Sequence, residues 1–405
     1  MSADSRPGPH LLLGDEGAAA MCAASAEADP DSLSAASRLR SRFGPELAAA
    51  TLAQTSLRRR AQAKFGAEAA QIWFTTDGLE QASRPEVAAW RAARLAAAGV
   101  RRVIDFGCGI GADARAFLAA GMTVTAVELD PQTAALAAAN LPGAEVLVGD
   151  ATQLAPGLLA AADATTAFFV DPARRTDRGR SWRVADFNPA WPFVLELLAG
   201  RLPVCVKLGP GLPRELIPAG VEACWVSHHG DVVEAGLWRL DVQQSRASRG
   251  MSAAVLLPGP HRLEAQLDAG RLPVRAAGGY LLEPNGAVIR ARALNRIDPQ
   301  AWLLDPEVAY LSTDHPVASP FASCFEVLQT LDAGEKTLRA WVRDNRVGVL
   351  EIKKRALDVD PAALRRRLKL SGPNQATLIL ARTVAGAAVP TGWLALGLSE
   401  CQKPV

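Results

Sequence analysis

The sequence predicts an α/β protein whose largest domain is a parallel sheet flanked by helices. Between about residue 101 and residue 245, short apolar runs alternate with helical stretches, and this alternation is typical of a parallel sheet. The last two apolar runs are separated only by a short turn, which predicts an antiparallel strand that closes the sheet. The runs are RRVIDFG, TVTAVELD, EVLVGD, TTAFFVD, LPVCVKLG, VEACWVSHH and AGLWRLDV.

Length and composition limit the architecture and the partners. A chain of 405 residues is expected to hold about two to four domains, and 49% hydrophobic residues are ample for folded cores. The net charge of +2 indicates no partner by itself. The six cysteines form neither a C-x-x-C pair nor a zinc spacing, which indicates reduced thiols and no metal site. No apolar run reaches the roughly 18 residues that span a bilayer, so we expect a cytoplasmic protein without a membrane segment.

The regions on either side of the sheet differ from it in their patterns. The first residues are rich in Ala, Ser, Pro, Gly and acids without periodicity, which predicts a disordered tail. A helical pattern follows, and beyond the sheet come short strands with one helix. The chain then reads as strand, helix, strand, helix and strand, with the second helix beginning at Asp360. The expected boundaries are 1–35 for the tail, 36–100 for a helical domain, 101–245 for the sheet, 246–318 for a small α+β domain and 319–398 for the last domain.

A glycine turn after the first predicted strand indicates a nucleotide-like cofactor. In VIDFGCGIGAD, glycines remove side chains where the backbone must come close to a ligand. Glu128 ends the next strand, at the position where an acid binds ribose hydroxyls in dinucleotide-type sheets. Asp150 ends the third strand, where it could accept a hydrogen bond from an adenine amino group. The predicted cofactor-binding residues are Asp105, Gly107, Gly109, Gly111, Glu128 and Asp150.

From about residue 101 to residue 242 the chain resembles the class I S-adenosylmethionine-dependent methyltransferases. The G-x-G-x-x-G spacing of NAD enzymes does not fit, because the last glycine comes one residue early. The resemblance implies a Rossmann-like sheet of seven strands with the last one antiparallel, and S-adenosyl-L-methionine as the cofactor. Cys108, inside the turn, is interpreted as a small apolar filler.

The stretch FFVDPARR holds the predicted catalytic residues, Asp171 and Pro172. It is similar to the Asp/Asn-Pro-Pro-aromatic motif of amino-methylating members of the class. The resemblance implies that the carboxylate and the following backbone carbonyl accept hydrogen bonds from the target amine. Ala173 and Arg174 depart from that motif, since no aromatic residue follows. A carboxylate that only caps a turn is the alternative for Asp171.

Two arginines and a lysine near this motif are candidates for binding the substrate. Arg174 stands where the uridine-C5 methyltransferases also have an arginine, but those enzymes need a cysteine at the end of the next strand. That position is Leu208, and Cys205 lies three residues too early, so carbon methylation through a cysteine is not expected. The candidates are Arg174, Arg175 and Lys207. For the two arginines, binding a phosphate and a solvated or salt-bridged role are both open.

Over nearly its whole length the chain is similar to a bacterial family of methyltransferases with a C-terminal THUMP-like domain. The matching motifs are FTTDGLEQAS, DFGCGIGAD, VDPARR, VKLGP, YLLEPNGAVIRA and ATLILAR. The resemblance implies that residues 246–318 are ferredoxin-like and residues 319–398 THUMP-like. It supplies no substrate, although THUMP domains proper bind RNA.

The charge distribution supports RNA as a partner. Between Lys336 and Arg382 there are 12 Lys and Arg against four Asp and Glu, a local charge of +8. We therefore expect Lys353, Lys354 and Arg355 to contact RNA, with a solvated helix face as the alternative. The aromatic residues Trp182, Phe187 and Trp191 could stack on a flipped base or pack in the core.

Together these features predict an enzyme that methylates a nitrogen of a base in tRNA or rRNA. Two alternatives stay open. One is an RNA-binding protein whose methyltransferase domain senses the cofactor or is inactive. The other is methylation of a small molecule or a protein, which would leave the basic C-terminal region unexplained.

Overall fold

The chain packs as two compact units in a computed structural model that describes residues 9–174, 182, 184–240, 250–266, 270–332, 334–381 and 391–397. The first unit comprises Met1–Val221 and Glu234–Ser248, and the second comprises Glu222–Val233 and Arg249–Val405.

From residue 9 onward, six helices precede the sheet of the first unit. They are α1 (Pro9–Leu13), α2 (Asp15–Ser25), α3 (Leu33–Phe43), α4 (Pro45–Phe65), α5 (Thr76–Gln81) and α6 (Pro85–Ala97). The expectation of a disordered tail through residue 35 is wrong from residue 9 onward; residues 1–8 lie outside the described part of the chain. Ala24 packs with Leu39 and Ala48 in a buried cluster, so small side chains let α2 lie close to α3 and α4. The apolar periodicity was hidden because this buried face consists mainly of alanine.

The strands of the first half of the chain follow the predicted apolar runs. They are β1 (Arg102–Phe106), β2 (Thr123–Glu128), β3 (Glu145–Val148), β4 (Thr166–Val170), β5 (Ala173–Arg174), β6 (Phe187–Asn188), β7 (Val204–Leu208), β8 (Glu222–His228) and β9 (Asp231–Arg239). Within the first unit the order is β3-β2-β1-β4-β7-β9. The strands β1, β2, β3, β4 and β7 pair in parallel, whereas β9 pairs antiparallel with β7. The α/β fold with its antiparallel closing strand is therefore confirmed.

Four helices connect these strands: α7 (Ala112–Ala119), α8 (Pro131–Asn140), α9 (Ala151–Ala160) and α10 (Trp191–Ala199). The core of the sheet is aromatic: Phe106 stacks on Phe168 and meets Phe193 edge-on, and Phe117 meets Phe169 edge-on. Strand β4 is buried along its whole length, and the first polar residue after it lies at the edge of the sheet. Asp171 is that residue.

The described residues of the second unit form two groups of paired strands. Its further strands are β10 (Met251–Leu257), β11 (His261–Gln266), β12 (Tyr280–Pro284), β13 (Trp302–Asp305), β14 (Val308–Thr313), β15 (Ala322–Asp332), β16 (Val347–Arg355), β17 (Asn374–Ala381) and β18 (Thr391–Gly397), with helices α11 (Gly286–Arg290), α12 (Glu335–Asp344) and α13 (Pro361–Leu368). Strand β10 pairs in parallel with β8 and antiparallel with β11. The other strands form a seven-stranded sheet in the order β13-β14-β12-β15-β18-β17-β16.

The structure differs from the expected separation at residue 318. Strand β12, from the expected ferredoxin-like segment, pairs with β15 of the THUMP-like segment, so both segments contribute to one sheet. Pairing partners depend on tertiary contacts and cannot be read from the local pattern. The predicted succession of strand, helix, strand, helix and strand is confirmed as β15, α12, β16, α13 and β17. Asp360 caps α13, because its carboxylate accepts a hydrogen bond from the Ala362 amide at 2.9 Å.

Among the helices that the structure describes, none combines the length and the apolar composition needed to cross a bilayer.

Candidate active site

The predicted glycine turn joins β1 to α7. Gly107 and Gly111 have φ angles of 84° and 83°, in the left-handed region that favours glycine. A Cβ on Gly111 would lie 2.8 Å from Leu141 Cδ1, so this glycine allows close packing. A Cβ on Gly109 would have no neighbour within 4 Å, because this part of the turn faces open space. The turn therefore offers bare backbone to a ligand.

Glu128 lies beside this turn at the end of β2. Its Oε2 accepts a hydrogen bond from the Gly109 amide at 2.9 Å, and its Oε1 accepts one from the Asp130 amide at 2.9 Å. These bonds fix the orientation of the carboxylate. Each carboxylate oxygen can accept more than one hydrogen bond, so both can still bind hydroxyl groups of a sugar.

Asp150 follows β3 and has a structural role as well. Its Oδ1 accepts hydrogen bonds from the Thr152 amide at 2.8 Å and from the Thr152 hydroxyl at 2.5 Å, which caps α9. Asp150 and Glu128 line the same cavity. The ends of two neighbouring parallel strands thus carry acids at the edge where α/β sheets bind ligands.

The cavity has a volume of about 910 Å³, within the usual range for cofactor sites. One part of its lining comes from the N-terminal helices: Leu12 of α1, and Ala49, Ala50, Ala53 and Leu57 of α4. Asn140 fixes the chain near this wall. Its Nδ2 donates to the carbonyls of Trp73 and Ile110 at 2.9 Å each, and its Oδ1 accepts from the Trp73 amide at 2.8 Å. The N-terminal helices are therefore part of the site.

Asp171 lines the cavity at the end of β4, and 31% of its side chain is exposed. Its carbonyl oxygen would lie 3.7 Å from a Cβ on Gly107, so the strand end and the glycine turn are close. Its Oδ2 lies 2.5 Å from Lys207 Nζ. Asp171 is thus bound by a side chain that comes from β7.

Comparison with known proteins agrees with this geometry. Residues 104–170 match the methyltransferase domain, residues 322–395 match the THUMP domain-like family, and residues 10–61 match a domain of unknown function. Two uncharacterized S-adenosylmethionine-dependent methyltransferases, from the CDC 1551 and H37Rv strains of Mycobacterium tuberculosis, are each 34% identical over 363 residues. Each alignment covers 86% of this chain and 96% of the relative.

The chain belongs to the class I S-adenosylmethionine-dependent methyltransferases with a THUMP-like domain. The fold is shared with a protein from Porphyromonas gingivalis W83 that is assigned as a methyltransferase. That crystal structure matches with a TM-score of 0.77 and 21% identity, over 98% of this chain and all of the other.

S-Adenosylmethionine fits the described residues of this methyltransferase. Gly109 leaves open space at the turn, the cavity is large enough, and Glu128 can accept hydrogen bonds from ribose. The roles of Glu128, Asp150 and the three glycines in holding the cofactor remain predictions that this geometry supports.

Asp105 does not fit its predicted role as a direct cofactor ligand. It is 1% exposed, neither carboxylate oxygen has a hydrogen-bond partner among the described residues, and it is absent from the cavity lining. Burial, and next the negative charge of Asp171, raise the pKa of Asp105 to about 8. The Cys108 thiol also has a raised pKa, chiefly because of burial, which agrees with its interpretation as a filler.

The Lys207 ammonium is bound by groups of the protein itself. Its side chain is only 11% exposed, and besides Asp171 its Nζ faces the Gln81 carbonyl at 3.3 Å and Asp113 Oδ2 at 3.5 Å. An ammonium group has three hydrogens, and the three partners account for them. Lys207 also lines the cavity, so its assignment as a substrate-binding residue stays a prediction, while its contacts favour a structural role.

The remaining candidates near Asp171 are only partly described. The backbone of Arg174 pairs with Phe187 between β5 and β6, while the Arg174 side chain and the whole of Arg175 lie outside the described residues. Phe187 and Trp191 are each 4% exposed and their ring centroids are 5.5 Å apart. These two rings are core residues, so stacking on a base is not their role; Trp182 is half-buried.

In the THUMP-like sheet, the three predicted RNA contacts differ in exposure. Lys353 donates to Glu283 Oε2 at 2.6 Å, and the guanidinium of Arg355 lies 5.5 Å from the ring centre of Tyr310. Both side chains are used within the unit. Lys354 is exposed, because neighbouring residues of a strand point to opposite faces. Only Lys354 of the three lies open to a partner.

Proposed function

We propose that this methyltransferase transfers its methyl group to a nitrogen of a base in RNA, tRNA or rRNA being the expected substrate. The observation that carries the proposal is the position of Asp171. Its carboxylate lines the cavity, and its carbonyl lies beside Gly107 of the glycine turn. Hydrogen-bond acceptors at this point fit an acceptor group that carries N–H bonds.

Bound S-adenosylmethionine supplies a methyl group activated by a sulfonium, so the protein has to position the acceptor and exclude water. In this proposal the Asp171 carboxylate accepts a hydrogen bond from one N–H of the target amine. Pro172 has a fixed φ angle and no N–H, so it holds the adjacent backbone in place without competing for the carboxylate. The amine nitrogen then faces the methyl group with its lone pair.

Nitrogen is favoured over carbon as the methylated atom. Carbon methylation of a pyrimidine uses a cysteine nucleophile, and the position where it is expected holds Leu208. Cys205 lies inside β7 and is fully buried. Neither position can supply a thiolate to a base.

RNA docking is attributed to the second unit. The THUMP-like match and the local charge of +8 motivate this assignment. Lys354, Arg366 and Lys369 have exposed side chains on β16 and at the end of α13. Cations in such positions attract phosphates and release counterions when they bind.

The test begins with the modified nucleosides of a strain that lacks the gene. We expect one methylated base to disappear from tRNA or rRNA and to return when the gene is restored. Purified protein should then transfer tritium from labelled S-adenosylmethionine to total RNA from that strain, but not to RNA from the parent strain.

Other outcomes would contradict this proposal and favour one of the alternatives. Tritium in a small molecule or a protein, with none in RNA, would assign a different substrate class. Tight binding of cofactor and RNA without any transfer would indicate an RNA-binding protein that senses the cofactor.

A further inference from the structure

We infer that Lys207 is a positioning residue for Asp171, and that a buried chain of alternating charges holds Lys207 in place. The inference rests on the proposed role of Asp171 in binding the acceptor. Lys207 binds Oδ2 of Asp171, so Oδ1 and the backbone carbonyl remain for the acceptor.

The surroundings of the Lys207 ammonium fix its position. Its partners come from three elements: Asp171 after β4, the Gln81 carbonyl at the end of α5, and Asp113 in the first turn of α7. With 11% of the side chain exposed, water cannot easily replace these partners. The ammonium therefore holds the Asp171 carboxylate in one direction, unlike a solvated surface pair, which contributes little.

Behind Lys207 the charges continue to alternate. Arg91 of α6 pairs with Asp113 Oδ1, and its other nitrogen lies 2.5 Å from Glu234 of β9. Arg91 is 1% exposed, and the two carboxylates are each 7% exposed. Ser83 also donates to Asp113 Oδ2 at 2.8 Å. The chain thus runs from Asp171 through Lys207, Asp113 and Arg91 to Glu234.

Burying such a chain of charges costs free energy, and the buried groups then have little freedom to move. Each buried charge loses hydration, and only close opposite charges offset that loss. Since every cation here lies between two carboxylates, moving one group would leave another uncompensated. This explains how a carboxylate at the open end of a strand keeps a fixed direction while 31% of its side chain is exposed.

The four motifs on which the family resemblance rests in this unit meet in this cluster. FTTDGLEQAS supplies Gln81 and Ser83, DFGCGIGAD supplies Asp113, VDPARR supplies Asp171, and VKLGP supplies Lys207. The motifs are far apart in the chain, and only the fold brings them together. Each motif contains a residue that is the Lys207 ammonium itself, contacts it, or contacts one of its carboxylate partners. This favours a common role of the motifs in holding Asp171.

The experiment compares Lys207→Met, Lys207→Arg and Lys64→Met. Lys64 is the matched control, because its Nζ donates to the Leu79 and Glu80 carbonyls of the same α5 segment without contacting Asp171. Methyl transfer to total RNA from the deletion strain is measured together with cofactor affinity. Lys207→Met should lower kcat at least about tenfold and change the cofactor Kd less than about twofold, as expected for the loss of a charge-assisted bond that orients the acceptor site.

Lys207→Arg should recover part of the lost kcat, because a guanidinium can still bind Asp171. Lys64→Met should stay within about twofold of the wild-type kcat, since its hydrogen bonds go to carbonyls of α5 and not to Asp171. A crystal structure of Lys207→Met provides a readout that needs no acceptor. In it, the Asp171 carboxylate should leave its position while Pro172 stays in place.

An unmoved Asp171 carboxylate in that crystal structure would overturn the inference. A wild-type kcat in Lys207→Met, together with an inactive Asp171→Ala, would also overturn the inference. The proposed function would still stand in that case. Full activity in Asp171→Ala would instead refute the proposed role of Asp171. If Lys207→Met does not fold, the same kinetics and crystal structure are obtained for Lys207→Arg. An unchanged kcat in Lys207→Arg, together with a displaced Asp171 carboxylate, would then overturn the inference.

Discussion

Two groups of cations, one in each unit, are used in opposite ways. In the first unit, Lys207 and Arg91 are buried and each lies between two carboxylates. In the second unit, Lys354, Arg366 and Lys369 expose their charged groups. The first arrangement holds a catalytic candidate in place, and the second can attract phosphates. A count of Lys and Arg in the sequence cannot distinguish these arrangements, because burial decides which charges a ligand can reach.

The same difference appears between neighbours on β16. Lys353 binds Glu283, which also accepts a hydrogen bond from the Tyr310 hydroxyl at 3.2 Å. Lys354 points to the other face and is exposed. One step along a strand therefore separates a structural lysine from a candidate RNA contact.

The largest expected effect is at Asp171. Asp171→Ala should abolish methyl transfer, because the acceptor amine loses the group that orients it, while cofactor affinity stays near that of the wild type. If Asp171 only accepts a hydrogen bond from the amine, Asp171→Asn should keep partial activity, since an amide oxygen can also accept that bond. If Asp171 acts as a general base, Asp171→Asn should lose nearly all activity. Kinetics of tritium transfer distinguish the two. Full activity in Asp171→Ala would make this residue an ordinary strand end.

A smaller effect is expected at Glu128. Glu128→Ala should weaken S-adenosylmethionine binding at least about tenfold, the range for losing hydrogen bonds to a charged group. Calorimetry measures this directly, and Glu145→Ala, on the next strand, serves as the control because Glu145 does not line the cavity. Equal affinity in the two variants would contradict the assignment of Glu128 to ribose.

The exposed cations of the second unit should affect RNA binding only. Changing Lys354, Arg366 and Lys369 to Gln should weaken RNA binding several-fold and lower the salt dependence, by about 0.7 in the logarithmic slope for each lost phosphate contact. Cofactor affinity should not change. The matched control changes three exposed arginines of the first unit, Arg40, Arg101 and Arg201.

Equal RNA affinity in the two triple variants would refute docking by this surface. Point changes are the better test here, since deletion of residues 320–405 would remove β15 from beside β12 and expose a sheet edge.

The last prediction concerns the pH dependence of stability, not catalysis or binding, at Asp105. With its pKa raised to about 8, folded Asp105 keeps a proton that the unfolded chain releases near pH 4. Its contribution to stability is therefore complete below pH 4 and is lost as the pH rises toward 8, by about 1.4 kcal/mol per pH unit. Asp105→Asn should flatten this dependence, as measured by denaturant unfolding between pH 5 and pH 8. Identical slopes in the two proteins would contradict the raised pKa.

Much of the fold was determined by the local sequence. The apolar runs placed the strands of the parallel sheet, and the glycine turn with Glu128 and Asp150 at successive strand ends indicated the cofactor edge. These inferences succeed because strand periodicity, turn glycines and strand-end acids are properties of neighbouring residues. The alanine-rich N-terminal helices were missed for the same reason, since small side chains give little periodic signal.

Tertiary structure alone decided which polar groups meet. Arg91 and Glu234 are 143 residues apart in sequence, and nothing in either local pattern indicates that both are buried around Asp113. The ion pairs of Lys207 and of Lys353 likewise depend on partners supplied by distant elements. The sequence gives the charge of each side chain, but its burial and its partners depend on how the elements pack. Burial and partners determine whether a cation binds a ligand or holds a carboxylate.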